Sequence, residues 1–315
     1  MYKRGFIKGI NLGGWMSQCD YSKERLDGFI TEKDIEQIAA WGFDHVRLPF
    51  DYNIVQNSDG SFIEDGFRRL EEAVSLSKKH GLRIVLDLHK TAGFSFDHGE
   101  EESGFFDSEE LQEKFYSLWE EMAGRFGNDT ENIVFELLNE VTDEEFIGRW
   151  NKIAAKCIER IRKIAPTIGI LLGSYHNNGA REVAALDVPF DENLIYNFHC
   201  YDPLKFTHQG ATWTPVIDPD ARQPFEESGV SEAYFEELFS AAITKAENDG
   251  VTLYCGEYGV IDRVPAEDVV KWYTAINAVL EKHKIGRSAW CYKEMDFGIT
   301  DARLDGCRDE LLRYM

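Results

Sequence analysis

The sequence predicts an α/β protein, a (β/α)8 TIM barrel, on three observations. Eight apolar runs of strand length recur along the 315 residues, at 6–11, 43–48, 82–88, 132–138, 168–173, 193–199, 251–256 and 286–292. Each is rich in Val, Ile, Leu and Phe, as a parallel strand covered on both faces must be. Longer amphipathic stretches follow most of them, so strand and helix alternate from one end of the chain to the other. A single barrel domain over 1–315, enlarged by loop insertions, accounts for the length.

The first helix is opened by Thr31-Glu32-Lys33-Asp34, an N-cap with an acidic first turn, after which Ile35, Ile38 and Ala39 recur on one face up to Gly42. Further helices are predicted near 66–80, 109–126, 143–165, 231–248, 265–283 and 307–314. The stretch 200–230 holds Pro203, Pro215, Pro219 and Pro224 and reads as a functional loop, because regular patterns resume beyond it. A doubly wound open sheet is the rival fold. Its first strand would normally lead into a Gly-rich phosphate turn, whereas here it ends in Asn11-Leu12-Gly13-Gly14-Trp15, with no GxGxxG spacing.

Lys and Arg number 34 against 57 Asp and Glu, a formal charge of -23. Such a surface repels phosphate backbones and anionic lipid, so neither nucleic acid nor membrane is expected as a partner, while a neutral polysaccharide is indifferent to the field. The acidity equally serves solubility. The run after Met1-Tyr2-Lys3-Arg4-Gly5 is too short and Gly-interrupted for a signal peptide or membrane helix; the chain as written is expected in the cytoplasm, or secreted had a leader been trimmed. Cys19, Cys157, Cys200, Cys255, Cys291 and Cys307 are scattered without a CxxC pair and are expected as free thiols.

In a (β/α)8 barrel the chemistry sits where strands stop. Strand two is expected to end at Arg47, strand three at His89, strand four at Asn139-Glu140, strand six at His199-Cys200-Tyr201, strand seven at Glu257 and strand eight at Trp290. Taken singly each has a structural explanation: an ion pair for Arg47, core hydrogen bonds for the histidines, packing for Trp290, helix capping for Asn139 and Glu140. Polar residues at six separate strand ends converge only if the barrel closes. Carboxylates on strands four and seven suit glycoside hydrolysis, which needs a proton donor and a second carboxylate facing the anomeric carbon. Glu257, near Arg47 and within reach of Tyr201, is expected to be held ionised, and Glu140 to stay protonated. Their carboxyls should lie about 5 to 5.5 Å apart for retention, or roughly 6.5 to 9.5 Å for inversion.

In order and spacing, Asn11-Leu12-Gly13-Gly14-Trp15, Arg47-Leu48-Pro49, Leu86-Asp87-Leu88-His89, Leu138-Asn139-Glu140, Phe198-His199-Cys200-Tyr201, Gly256-Glu257-Tyr258-Gly259 and Trp290 resemble glycoside hydrolase family 5. The resemblance implies a retaining β-glycosidase with Glu140 as acid/base and Glu257 as nucleophile. It implies that Arg47 and Tyr201 hold the nucleophile, that Asn139 meets the sugar 2-hydroxyl, that His89 and His199 line the subsite of the distorted sugar, and that Trp290 is its stacking platform. The segment Asp27 to Tyr52, with Phe206-Thr207-His208-Gln209 and Tyr292-Lys293-Glu294-Met295-Asp296-Phe297, is similar to the endoglucanase C group of single-domain cellulases. That likeness implies endo-β-1,4-glucanase action on β-1,4-glucan and mixed-linkage β-1,3-1,4-glucan, with a β-glucan as partner, no cofactor and no metal, and a monomer. An exo-β-1,3-glucanase or β-mannanase of the same family is the alternative. Lys90 departs from the group, which usually carries a second histidine there.

Trp213, His208, Lys90 and Phe94 are candidates for outer subsites, with Phe96 and His98 on the same rim; the bland alternative is that loop aromatics pin their loops. His176 and Asn177, beyond strand five, have less claim to substrate, and Trp15 and Trp41 are assigned to packing. A metal-dependent hydrolase built on His89 and His199 would want closely spaced ligands such as HxH or HExxH, which are lacking near them. A catalytically dead carbohydrate-binding barrel would not need both carboxylates and their supports.

Overall fold

A computed structural model describes residues 5–97 and 102–315; the rim-loop candidate His98 and residues 1–4 lie outside them. Eight parallel strands close into a barrel in chain order. They are β1 (Lys8–Asn11), β2 (His45–Asp51), β3 (Arg83–Lys90), β4 (Ile133–Glu136), β5 (Gly169–Gly173), β6 (Leu194–Cys200), β7 (Thr252–Tyr258) and β8 (Gly286–Ala289). β8 pairs with β1 through Lys8↔Arg287 and Ile10↔Ala289. All eight expected strands are therefore present, and the open-sheet rival is excluded by closure. Seven helices of the outer layer coincide with the expected ones: α1 (Glu32–Ala40), α2 (Glu64–Lys79), α3 (Glu109–Phe126), α4 (Ile147–Ile164), α5 (Glu232–Asp249), α6 (Ala266–Lys282) and α7 (Arg308–Tyr314). The capping signal that opens α1 is real, since the Thr31 backbone N–H donates to Asp34 Oδ2 at 2.7 Å. α5 ends where Gly250 adopts φ +69°, a conformation open to glycine at little steric cost.

Side chains alternate across each strand, so residues two apart share the barrel interior. The interior is stacked in layers. Its floor is a small apolar cluster, with Val85, Val134, Leu171, Ile195 and Tyr254 closed off by Phe6. One step higher the same strands carry Asp87, Glu136 and Asn197, together with Arg47 of β2, all buried. One step higher again are His89 and His199. The large apolar core lies outside, between barrel and helices, and takes the intervening residues such as Leu86, Leu88, Phe135 and Phe198.

Two departures from regularity position the site. In the β6–β7 ladder Phe198 pairs with Cys255, but His199 pairs with Glu257, so one extra residue is accommodated at Gly256. Cys255 faces the outer core, and without this bulge Glu257 would share its face; the bulge turns the carboxylate inward. A Cβ on Gly256 would lie 2.7 Å from Asn197 Oδ1 and 3.0 Å from His199 Nε2. The second concerns Arg47, which is not at a strand end as expected but in the middle of β2, because the strand continues through Pro49 to Asp51. β1 pairs with β2 only as far as Arg47, so the missing N–H of Pro49 faces a side with no strand left to bond.

Gly256→Ala is expected to lose roughly 1–3 kcal/mol of stability by overpacking. A denaturant titration alongside kcat should show both falling; unchanged activity would mean that the tight approach at Gly256 is dispensable.

Candidate active site

The site is assembled on a single buried cation. Arg47 is fully buried, and its guanidinium donates five hydrogen bonds: Nε and Nη2 to the two carboxylate oxygens of Glu136 (2.7 and 2.8 Å), Nη1 to Asn11 Oδ1 (2.9 Å) and Glu257 Oε1 (2.7 Å), and Nη2 to Asn139 Oδ1 (2.8 Å). Asp87 Oδ2 lies 3.0 Å from Nη2. Burial works against the charge, but Asp87, Glu136 and Glu257 outweigh it and keep the guanidinium firmly protonated. Lysine, with three donors and no planar fork, could not satisfy this set.

Arg47 thereby orients two groups at the cleft. Glu257 has one oxygen on Arg47 and the other on the Tyr201 hydroxyl, which donates at 2.8 Å. Burial and the neighbouring Glu257 push the Tyr201 phenol well above its ordinary range, so it remains a donor. Asn139 has its carbonyl oxygen fixed on Arg47 while its amide nitrogen, though buried, has no protein partner among the described residues. His89 presents a similar opening. Its Nδ1 meets Asp87 at 2.6 Å, and Nε2 is left without a protein partner. Burial pushes the Asp87 carboxyl up to about 7 and the His89 imidazole down from its ordinary value.

Glu140 follows β4 and takes φ +25°, a left-handed backbone unusual for a glutamate. Its Oε1 meets His199 Nδ1 at 2.8 Å, and its Oε2 accepts from Asn177 Nδ2 at 2.8 Å. Burial pushes the Glu140 carboxyl up to about 7, opposed by the Asn177 hydrogen bond and the fields of His89 and Arg47. Burial also pushes the His199 imidazole down to about 4, so it brings no charge to the site near neutral pH. A carboxylate oxygen of Glu140 lies within 4.8 Å of one of Glu257. Trp290 closes one side, stacked parallel to the His89 ring within 2° at a centroid separation of 5.8 Å. Gly13 makes room for it, since a Cβ there would come 2.7 Å from the indole.

The structure thus brings together all eight residues expected at the centre: Arg47, His89, Asn139, Glu140, His199, Tyr201, Glu257 and Trp290. The outer candidates divide. Trp213 is half exposed and His208 is boxed by Tyr201, Phe297 and Trp213, so both flank the cleft beside the Glu257 support. Lys90 sits at the tip of β3 with its ammonium 5.5 Å from the Tyr21 ring centroid. Phe94 is buried edge-on against Phe106 in the outer core, where it anchors its loop. Trp15 and Trp41 pack as expected, Trp15 donating to the Leu26 carbonyl at 2.9 Å and Trp41 lying 5.8 Å from Tyr292. All six cysteines are free, though Cys19 and Cys307 are only partly buried.

Asn11, Asp87, Glu136 and Asn197 escaped the sequence reading. Their signal was a polar residue inside an otherwise apolar strand, two positions before an expected site residue in the case of Asp87 and Asn197. Glu140, His199 and Glu257 are the one group of described residues close enough to ligate a cation. They do not suit one, because both Glu257 oxygens are already taken and the Arg47 guanidinium, 2.7 Å away, supplies the positive charge. No helix among the described residues is long and apolar enough to cross a membrane.

A protonated carboxyl a few ångströms from a carboxylate held by a guanidinium and a phenol can give its proton to a departing oxygen while the other attacks the carbon that oxygen leaves. That is O-glycosyl hydrolase chemistry. The chain belongs to the cellulase family, glycosyl hydrolase family 5, whose profile matches residues 6–296. Similar proteins include Cellodextrinase A of Ruminococcus flavefaciens, 70% identical, with 90% of this chain and 84% of that one aligned. Endoglucanase C of Acetivibrio thermocellus is 38% identical with 98% of both chains aligned. Among solved structures, the endoglucanase Cel5A of Thermotoga maritima superposes with a TM-score of 0.82 at 25% identity, over 98% of this chain and 97% of that one.

The raised Glu140 carboxyl has a consequence for folding. A group whose folded pKa is raised to about 7 favours the native state fully below its unfolded value, and that contribution is lost as pH rises toward 7. Glu140→Gln should therefore be more stable than the parent at pH 8, by up to roughly 3 kcal/mol, with the gap closing near pH 4. Urea titrations at the two pH values check this; a gap independent of pH would contradict it.

Proposed function

We propose that the protein is a retaining endo-β-1,4-glucanase, hydrolysing β-1,4-glucan and mixed-linkage β-1,3-1,4-glucan by double displacement. The observation that carries the reading is that a carboxylate oxygen of Glu140 lies within 4.8 Å of one of Glu257, close enough for the second carboxylate to attack directly, as retention needs. Glu257 is the nucleophile: Oε1 and Oε2 are aimed by Arg47 and Tyr201, and one of them bonds to the anomeric carbon as the glycosidic C–O bond breaks. Glu140 is the acid, delivering its proton to the leaving oxygen. In the second step Glu140 takes a proton from water, which displaces Glu257 from the anomeric carbon.

The unpartnered amide nitrogen of Asn139 and Nε2 of His89 are the natural contacts for hydroxyls of the reacting sugar, and the Trp290 face suits its C–H surface. Binding that tightens as charge develops at the anomeric carbon contributes to rate and not merely to affinity. A second reading is favoured by the 70% identical relative named Cellodextrinase A: short soluble cello-oligosaccharides as the preferred substrates of the same chemistry.

Four measurements test these readings. The first-formed product anomer, followed by NMR, should be β; an α product would end the retaining mechanism. Release of reducing sugar from carboxymethylcellulose and barley glucan should exceed that from laminarin and mannan, and failure on both of the first two would sink the endo-β-1,4 reading, with rapid cleavage of cello-oligosaccharides alone pointing to the second. Glu140→Gln should abolish turnover of unactivated glucan yet spare the glycosylation step with dinitrophenyl cellobioside, whose leaving group needs little protonation. Because the acid form of Glu140 is the active one, kcat/KM should fall as pH rises through about 7.

A further inference from the structure

Strand β5 supplies none of the eight central residues, yet its end is built with unusual care. His176, Asn177 and Asn178 follow one another in left-handed backbone at φ 49°, 53° and 56°, and none is glycine. Asparagine tolerates this region better than most residues, which suits the two asparagines to the turn. The turn lies against the segment that carries Glu140, for the His176 N–H donates to the Thr142 carbonyl and the Asn177 N–H to the Val141 carbonyl, both at 3.0 Å. From there Asn177 Nδ2 reaches Glu140 Oε2 at 2.8 Å. The next residue works from the other side. Asn178 is buried, with Nδ2 3.4 Å from His199 Nε2, and His199 in turn holds Glu140 Oε1. Its amide occupies the space where a side chain at Gly173 would stand, since a Cβ there would come 2.1 Å from Asn178 Oδ1.

We propose that Asn177 is a positioning residue for the reaction, fixing the Glu140 carboxyl through a hydrogen bond to Oε2 that favours its ionised form. The proposal rests on the reading of Glu140 as the acid/base. During glycosylation the carboxyl O–H bond of Glu140 breaks, the proton passes to the glycosidic oxygen, and that oxygen leaves as an alcohol. Negative charge then develops on Glu140, and the Asn177 N–H···Oε2 bond strengthens as it does. When the Glu140 carboxylate recovers a proton from water in the second step, the bond weakens again.

The test separates this role from support of the turn. Glu140 is faced by Arg47 of β2, His89 of β3, Asp97 beyond β3, His199 of β6, Tyr201 just beyond β6, and Glu257 of β7, with Asp87 beneath His89. None of these changes in Asn177→Gly, which keeps the left-handed turn without steric cost and removes only the amide. Its kcat on cellotetraose should fall roughly tenfold with KM little altered, while single-turnover glycosylation by dinitrophenyl cellobioside is spared. The basic limb of its pH profile should move upward, because a donor that favours the carboxylate is gone. Asn177→Asp, also at ease in this backbone, should move the limb further by placing a second carboxylate there, and it carries the test should the glycine variant fold poorly. Equal losses on both substrates, or limbs that coincide with the parent, would overturn the proposal. Glu140→Gln run in parallel keeps the two readings apart: if it cleaves cellotetraose at the parental rate, the acid/base assignment fails whatever Asn177 does.

Discussion

The Arg47 guanidinium is the constraint on which the rest of the barrel interior depends. It is buried, and a buried charge is tolerated only when neighbours compensate it; here Asp87, Glu136 and Glu257 do so from three different strands. Because guanidinium is planar and its five N–H groups point in fixed directions, the partners cannot drift independently. Glu136 fixes the plane through two parallel bonds, and the plane then dictates where Glu257 and Asn139 stand. A site distributed over β1, β2, β3, β4 and β7 is thus registered to one rigid group. The requirement is one of geometry as much as of stability, for a buried ion pair is weak support for stability by itself.

The same interior gives different partners to two glutamates, a carboxylate oxygen of one lying within 4.8 Å of one of the other. Glu257 touches the guanidinium and a phenol, whereas Glu140 touches a neutral imidazole and an amide. Burial is common to both, so the difference lies in the partners. The histidines would spoil the contrast if they were charged. Burial prevents that by lowering both, His199 to about 4, which leaves the site to be governed by Arg47.

Much of this was legible in the sequence because parallel barrel strands are covered on both faces, and continuous apolar runs of four to eight residues betray them. The residues that interrupt those runs at the C-terminal ends are the central site. What the sequence left obscure has physical causes. Arg47 reads as a strand terminus, and nothing local reveals that β2 runs on through Pro49 to Asp51 beside a β1 that has already stopped. Glu136 and Asp87 look like strand irregularities until closure shows that they meet one cation. Phe94 looked like a rim aromatic, but its direction depends on Phe106, twelve residues away in the chain. The short helix Lys23–Gly28 has no buried residue and hence no apolar periodicity to announce it.

Both proposed reacting carboxylates stand on irregular backbone, while most of their supports stand on regular strand. Arg47, Asp87, His89, Asn197 and His199 occupy alternate interior positions that the pleat supplies without strain. Glu257 faces inward only because of the extra residue at Gly256, and Glu140 only with φ at +25°. The turn that brings Asn177 to Glu140 is left-handed over three residues. Such conformations cost of order 1–3 kcal/mol each and persist only when the surroundings over-determine them. The regular ladder can offer a side chain every second residue on a fixed pitch, and two carboxyls about 5 Å apart on strands four and seven of a closed barrel do not fall on that pitch. The rigid strands therefore hold the charge-balancing layer, and local distortions at their ends close the remaining distance.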